Sequence, residues 1–455
     1  MKLKIRAILS MGLFGLCTAL AHAAPAQEFT LKNGMKLIVK EDHRAPTAVQ
    51  MVWYKVGSID EINGTTGISH ALEHMMFKGT KKHKVGEFSR LVAEMGGNEN
   101  AFTSKDYTAY FQQIETSRLE AVMALEADRM ANLQFDAGEF AKEIRVVMEE
   151  RRWRTDDQPM GMLDEALNAA AFVAHPYHHP VVGWMDDLEH MNIQDIAAWY
   201  RKWYAPNNAT MVVAGDVDAQ RVLAMANKYF GKIASHALPQ SKPQTEPKQD
   251  GMRRVTVKAP AENPYVVLAY KVPALRDVEK DQDAYALDVL SGVLDGYDNA
   301  RLNARLVRTG KLATSVGASY SGIARGPVLF TLEGAPSAGT TTAQLEDLLR
   351  AEVRRIADEG VSPQELQRVK TQLIASQVYK RDSVMGQAME IGVMEMTGVG
   401  QKNIDRIIDR LKAVTPEQVQ AVAKKYFNDD NLTAATLVPL PLNGKKLAPP
   451  PGMLH

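Results

Sequence analysis

At 455 residues the chain is long enough for two or more domains, each with its own core. Lysine plus arginine and aspartate plus glutamate both total 54, a balance that argues against nucleic-acid and anionic-membrane partners. The single cysteine, Cys17, excludes a disulfide-stapled scaffold.

The N-terminus carries Lys2, Lys4 and Arg6, then an apolar run from Ala7 to Ala21, then Ala21-His22-Ala23 in A-x-A form. This pattern predicts a secretory signal peptide over residues 1–23, cleaved after Ala23. The competing reading, a retained membrane anchor, is disfavoured because the run is short and no stop-transfer pattern follows. Leu16, before Cys17, is not the small residue of a lipoprotein signal. A mature chain without cysteine would have to hold any metal with histidine and carboxylate. No later apolar stretch is long enough for a membrane span, and export without disulfides suits a bacterial periplasm.

A strand is expected over Thr47 to Val56, followed by His70-Ala71-Leu72-Glu73-His74, an H-x-x-E-H pattern. Histidines four apart on a helix project from one face and can reach one ion. Glu73 places a carboxylate beside that ion, where it could take a proton from water. The segment Ala137 to Arg154 has the apolar stripe of a helix in Phe140, Ile144, Val147 and Met148. Among its acidic residues Glu139, Glu143, Glu149 and Glu150, the pair Glu143 and Glu150 lies two turns apart on one face, with Glu149 about 100° away. That pair suits a third ligand with a supporting carboxylate. A charged solvent face is the alternative, given Lys142, Arg145, Arg151 and Arg152. Further on, His175-Pro176-Tyr177-His178-His179 is a second histidine cluster. Pro176 and Pro180 make it a loop, and only the more distant Asp186 and Asp187 could supplement it.

The polar, proline-bearing stretch 236–252 reads as a linker. Segments on its two sides correspond. Thr47 to Val56 and Tyr265 to Val272 both end in Tyr-Lys-Val, and a helix followed by a strand recurs at Ile193 to Val217 and Pro416 to Val438. This predicts a duplication into domains at 24–235 and 253–440, with an irregular Pro-rich tail at 441–455. The expected fold class is α+β: each domain an antiparallel-rich mixed sheet covered by helices on one face. After His236 the only histidine is His455, so the second half cannot repeat the metal motif. Its counterpart helix, Ala284 to Leu294, carries only apolar and small residues plus Asp288, with Asp295 just after it.

The run from Gly67 to Thr80 (GISHALEHMMFKGT) resembles the inverted-zincin signature of pitrilysin-type metallopeptidases, a group that includes mitochondrial processing peptidase and insulin-degrading enzyme. The resemblance extends over nearly the whole mature chain. It implies a Zn2+ site made by His70, His74 and Glu150, the last within Val146-Val147-Met148-Glu149-Glu150. It also implies Glu73 as general base and Glu143, one heptad before the ligand, as a further essential residue. Gly96 to Thr103 (GGNENAFT) is similar to the strand on which the family holds substrate backbone, which implies Asn100, Ala101 and Phe102 as peptide-binding positions.

In the second half the resemblance implies an Arg and a Tyr that bind peptide from the opposite wall of a chamber, the two domains forming half of a clamshell. Arg308 fits the Arg, but Thr314 stands at the Tyr position, the segment is one residue short, and Tyr320 is too far along to substitute. This departure points to a heterodimer in which a paralogous chain supplies the Tyr, with a homodimer as the other possibility. The expected activity is secreted zinc-dependent endopeptidase or oligopeptidase action on unfolded peptides. The alternatives are a non-catalytic structural or peptide-presenting subunit of the same fold and a zinc-binding regulator.

Overall fold

A computed structural model describes residues 25–442 and 444, apart from 241 and 243. The expected signal peptide and most of the expected tail lie outside the described residues. The first sheet comprises β1 (Gln27–Thr30), β2 (Lys36–Glu41), β3 (Thr47–Tyr54), β4 (Asn98–Thr103), β5 (Thr108–Glu115) and β6 (Ala209–Gly215), in the order β1-β2-β6-β3-β5-β4. The second comprises β7 (Arg253–Pro260), β8 (Tyr265–Val272), β9 (Ala313–Tyr320), β10 (Val328–Pro336) and β11 (Leu432–Leu440), in the order β7-β11-β8-β10-β9. Every neighbouring pair is antiparallel except β2/β6 in the first sheet and β7/β11 in the second. The two orders therefore superimpose, with their single parallel pair in the same place and β1 as an extra edge. This is a two-domain α+β molecule with antiparallel-rich sheets.

Each sheet alternates its side chains between two apolar faces. In β3, Val52 and Tyr54 join the main core of the first domain, under its own helices. Val49, Met51 and Trp53 point the other way, into a smaller core with Ala388, Ile391 and Met396. Those three residues belong to the Val384–Thr397 helix, which comes from the second half. The exchange is reciprocal. Leu163 and Leu167 of the Pro159–Ala171 helix, from the first half, pack on Val267, Ala269, Ala435 and Leu437 of the second sheet. Besides its own helices on one face, each sheet thus receives a borrowed helix on the other, which explains why β3 is buried along nearly its whole length. Gly392 is required at the crossing, because a Cβ there would run into the Trp53 indole.

One helix boundary differs from the sequence reading, while β11 runs to Leu440, where the tail was expected to begin, through Pro439, which pairs with Ala259 of β7. Pairing with β8 ends at Leu437, so the proline's missing N–H costs no ladder bond. The helix expected to reach Arg154 ends at Arg151 and widens into a π-helical turn over Arg152–Asp156.

The linker is fastened rather than free. Glu246 accepts the backbone N–H groups of Val173, Ala174 and His175 at 2.9–3.1 Å and the Lys271 ammonium at 2.9 Å, tying both halves to one carboxylate. Across the same interface the Arg325 guanidinium donates to both Asp60 carboxylate oxygens at 2.8 and 2.9 Å and to the Asp106 carbonyl at 2.9 Å.

Candidate metal centre

The H-x-x-E-H residues lie on the helix Ile68–Met75. Its entry is built by a reciprocal glycine contact. Gly67 and Gly183 both have positive φ, and a Cβ on either would strike the backbone of the other strand of chain. The Glu61 carboxylate accepts the N–H groups of Gly67 at 2.8 Å and Ser69 at 2.9 Å, satisfying donors that the first helical turn leaves unpaired. Burial raises Glu61 to about 7 despite these bonds. Asp187 accepts from the Thr66 hydroxyl at 2.5 Å and the Thr66 N–H at 3.0 Å, fixing the approach to the helix.

Four residues apart, the rings of His70 and His74 meet edge-on with centroids 4.8 Å apart. Facing them is Glu150, from the helix Ala137–Arg151, whose N-terminus is capped by Asp136 accepting the Glu139 N–H at 2.9 Å. Glu150 Oε2 lies 3.3 Å from His70 Nε2 and 3.5 Å from His74 Nε2. One donor atom from each of the three residues falls within 4.8 Å of the others. Two ligands about 2.0–2.1 Å from one tetrahedral zinc ion sit roughly 3.3–3.4 Å apart, so the two contacts of Glu150 match that ion. The donor set fits as well. Glu150 Oε2 is buried and makes no hydrogen bond. Burial, reinforced by the nearby His74, lowers His70 to about 3, leaving a neutral imidazole. Burial pulls Glu150 upward, but His74, His70 and Arg154 outweigh it and hold the carboxylate at about 2. The metal, when present, would therefore meet a lone pair on His70 and a full carboxylate.

Glu143 stands where its heptad spacing to Glu150 suggests. Its Oε2 is 3.2 Å from His74 Nδ1 and its Oε1 is 2.7 Å from the Lys78 ammonium. Such a bond fixes the His74 ring and leaves Nε2 for the ion. Glu73 accepts the Thr103 hydroxyl at 2.5 Å, and burial raises its carboxyl above the ordinary range.

Thr103 ends β4, which pairs only with β5 and leaves its other edge open. Ala101 shares the helix-covered face of β4 with Thr103. Phe102 turns to the opposite face, 5.5 Å from Trp53 between ring centroids, and by the same alternation Asn100 points away from the metal helix. Arg308 lies on the turn Asn303–Thr309 of the second half, exposed, and the structure does not bring it against His70, His74 or Glu150. Tyr320 is pinned by its hydroxyl to the Pro273 carbonyl at 2.7 Å, and Thr314 donates to the Ala335 carbonyl at 3.3 Å.

Three residues that sequence reasoning missed border the site: Thr103 on Glu73, Lys78 on Glu143, and Arg154, which pairs with Glu150 Oε1. Lys78 and Arg154 each stand four residues after a ligand, a spacing that could have flagged them. The contact of Thr103 with Glu73 depends on sheet register and had no local signal. The histidine cluster at 175–179 is structural: His175 Nδ1 accepts the Tyr177 N–H at 3.2 Å, and His178 Nδ1 lies 2.9 Å from the His175 carbonyl. Among the described residues only His70, His74 and Glu150 form a group able to hold a metal.

Fold and site together define a duplicated α+β chain with an H-x-x-E-H motif and a candidate metal centre in its first half. The chain belongs to peptidase family M16: residues 36–183 match the model described as "Insulinase (Peptidase family M16)" and residues 190–373 the one described as "Peptidase M16 inactive domain". It is 33% identical over 422 residues to the zinc protease PqqE of Helicobacter pylori, covering 91% of this chain and 93% of that protein. It is 26% identical to the mitochondrial-processing peptidase subunit beta of Blastocladiella emersonii, covering 93% of this chain and 90% of that one. Among solved structures, a protease from Helicobacter pylori superposes with a TM-score of 0.86 at 31% identity, covering 91% of this chain and all (100%) of the other. The periplasmic protease PqqL of Escherichia coli shares the fold, with a TM-score of 0.78 at 20% identity, over 94% of this chain and 49% of that one.

Proposed function

We propose that this chain is a zinc-dependent endopeptidase acting on extended peptides, with its chemistry in domain 24–235 and the duplicate 253–440 as a wall. The observation that carries the reading is the convergence of His70, His74 and Glu150, with donor atoms within 4.8 Å of one another and Glu73 on the same helix as the histidines. His70, His74 and Glu150 would hold the ion and leave one position open. Bound zinc supplies Lewis acidity, polarising a carbonyl and acidifying water. Glu73 accepts a proton from the attacking water and returns it to the departing amine, a role suited to a buried carboxylate with a raised pKa. Glu143, held by Lys78, orients His74. Thr103 keeps Glu73 turned toward the end of β4. A peptide adding to that open edge through backbone hydrogen bonds would bring its scissile carbonyl to the base. Recognition through backbone predicts tolerance of many side chains and preference for unfolded substrates.

Glu73→Gln tests the assignment: zinc content should be kept while cleavage of a quenched peptide falls by at least about 1,000-fold. Hydrolysis at the wild-type rate would remove Glu73 from this role.

Secretion through residues 1–23 into a periplasm is part of the same proposal, as is pairing with a second chain. No helix among the described residues is long and apolar enough to cross a membrane. Thr314 in place of the expected Tyr, together with the relative named as a processing-peptidase subunit, supports a paralogous partner that completes the peptide-binding wall. Mixing the purified chain with such a paralogue should raise turnover well above that of either alone, and full turnover by the single chain would count against the pairing.

A further inference from the structure

The second half contains a hollow that the proposed hydrolysis does not use. Its volume is about 880 Å3, and it lies among the helices Gln282–Asp295, Pro363–Lys380, Val384–Thr397 and Ile404–Ala413. Tyr107, from the β4–β5 turn of the first half, closes one side. Cavities of this size at domain interfaces, apolar with a few polar groups, are characteristic ligand sites.

Two of the surrounding helices are the duplicates of the metal-ligating pair. In the first half His74 meets Glu143 across that pair. In the second half the two helices touch at Gly292 and Val369, so close that a Cβ on Gly292 would lie 2.6 Å from the valine Cγ1. Asp288 stands one turn before Gly292, as His70 stands one turn before His74.

Asp288 lines the hollow and, among the described residues, makes no hydrogen bond or ion pair. Of the other charged groups around it, Glu390 is engaged by Arg381 at 3.0 Å. Lys380 is exposed and forms no ion pair with Asp288. Burial raises the Asp288 carboxyl to about 6, with Lys380 pulling it back, while the side chain stays partly exposed in a hollow lined by apolar and polar groups. Such a group is stabilised by a cation that brings its own apolar surface. A metal ion would find too few free ligands, and an anion would be repelled.

We propose that this hollow binds an alkylammonium group, the ammonium on Asp288 and the hydrocarbon along Met385, Met389, Ile407 and Leu411. A free amine and a peptide lysine side chain carry the same chemistry.

Calorimetric titration of the full chain with n-octylamine and with 1-octanol tests the proposal. The amine should bind about tenfold more tightly than the alcohol, and Asp288→Asn should erase that difference while zinc content stays unchanged. Failure of the amine to bind, equal affinity for amine and alcohol, or undiminished amine binding by Asp288→Asn would each overturn it. Should Asp288→Asn not fold, Met389→Trp fills the hollow and must abolish octylamine binding; retained binding places the amine elsewhere. Displacement of octylamine by Nα-acetyl-lysine N-methylamide would support peptide lysines as the source, and its absence would support free amines. Because the readout is binding rather than hydrolysis, its failure leaves the peptidase reading untouched.

Discussion

His74 is gripped from two sides by one helix, with Glu143 at Nδ1 and Glu150 near Nε2. Lys78 then holds Glu143, completing a chain of three side chains behind one ligand atom. Loss of such support typically weakens metal affinity by about 10–100-fold. Lys78→Met and Glu143→Gln should both fall in that range in a chelator competition, with secondary structure intact. Wild-type affinity in either variant would show that His74 needs no such orientation. Thr103→Val probes the opposite side of the site. It should lower kcat by about tenfold or more without changing zinc content, because Glu73 loses its one neutral donor. Helical periodicity made the candidate groups legible in the sequence, His70, Glu73 and His74 within one turn and Glu143 and Glu150 two turns apart, while the link between the two helices came from the family resemblance. Thr103 was not legible, since nothing local ties it to Glu73. Arg308 came from likeness alone, and no local signal in the sequence ties it to a peptide.

At the level of elements, the duplication was readable from paired segments such as Tyr54-Lys55-Val56 and Tyr270-Lys271-Val272, which end equivalent central strands. The crossing of helices between halves was not. An apolar run like Thr47–Tyr54 shows that both faces are covered, but not by which part of the chain. The borrowed helix Val384–Thr397 depends on Gly392 lying flat on Trp53. Gly392→Leu should force the two apart and lower stability by about 1–3 kcal/mol, the usual range for overpacking. Because that helix covers the first sheet, the variant should expose Trp53, visible as a red shift of its fluorescence. An unshifted spectrum and unchanged melting would contradict this packing.

For the molecule as a whole, the two halves are joined by exchanged helices, by Arg325 on Asp60, and by Glu246, which bonds Lys271 and three N–H groups of 173–175. The apolar exchange outweighs any exposed ion pair, since burying one large side chain is worth about 1.5–3 kcal/mol against about 0–1 for a surface salt bridge. Arg325 is more buried than most. Arg325→Ala leaves Asp60 without its partner and should cost about 3 kcal/mol, seen in denaturant unfolding. Glu246 gives the interface a pH dependence. Burial works to raise its carboxyl, but Lys271 and the three N–H donors prevail and hold it at about 2. A carboxyl lowered in the fold contributes stability that is full above its ordinary value near 4.5 and is lost as pH falls toward 2. The difference in Tm between wild type and Glu246→Gln should therefore be largest near neutrality and shrink below pH 4.5. A difference that stays constant with pH would remove Glu246 from that role.

The coordination sphere itself is tested most directly by zinc titration of the metal-stripped chain, monitored calorimetrically. One ion per chain should bind to the wild type, with affinity reduced at least about 100-fold in Glu150→Gln and in His70→Ala. Undiminished binding in both variants would contradict a site built from His70, His74 and Glu150.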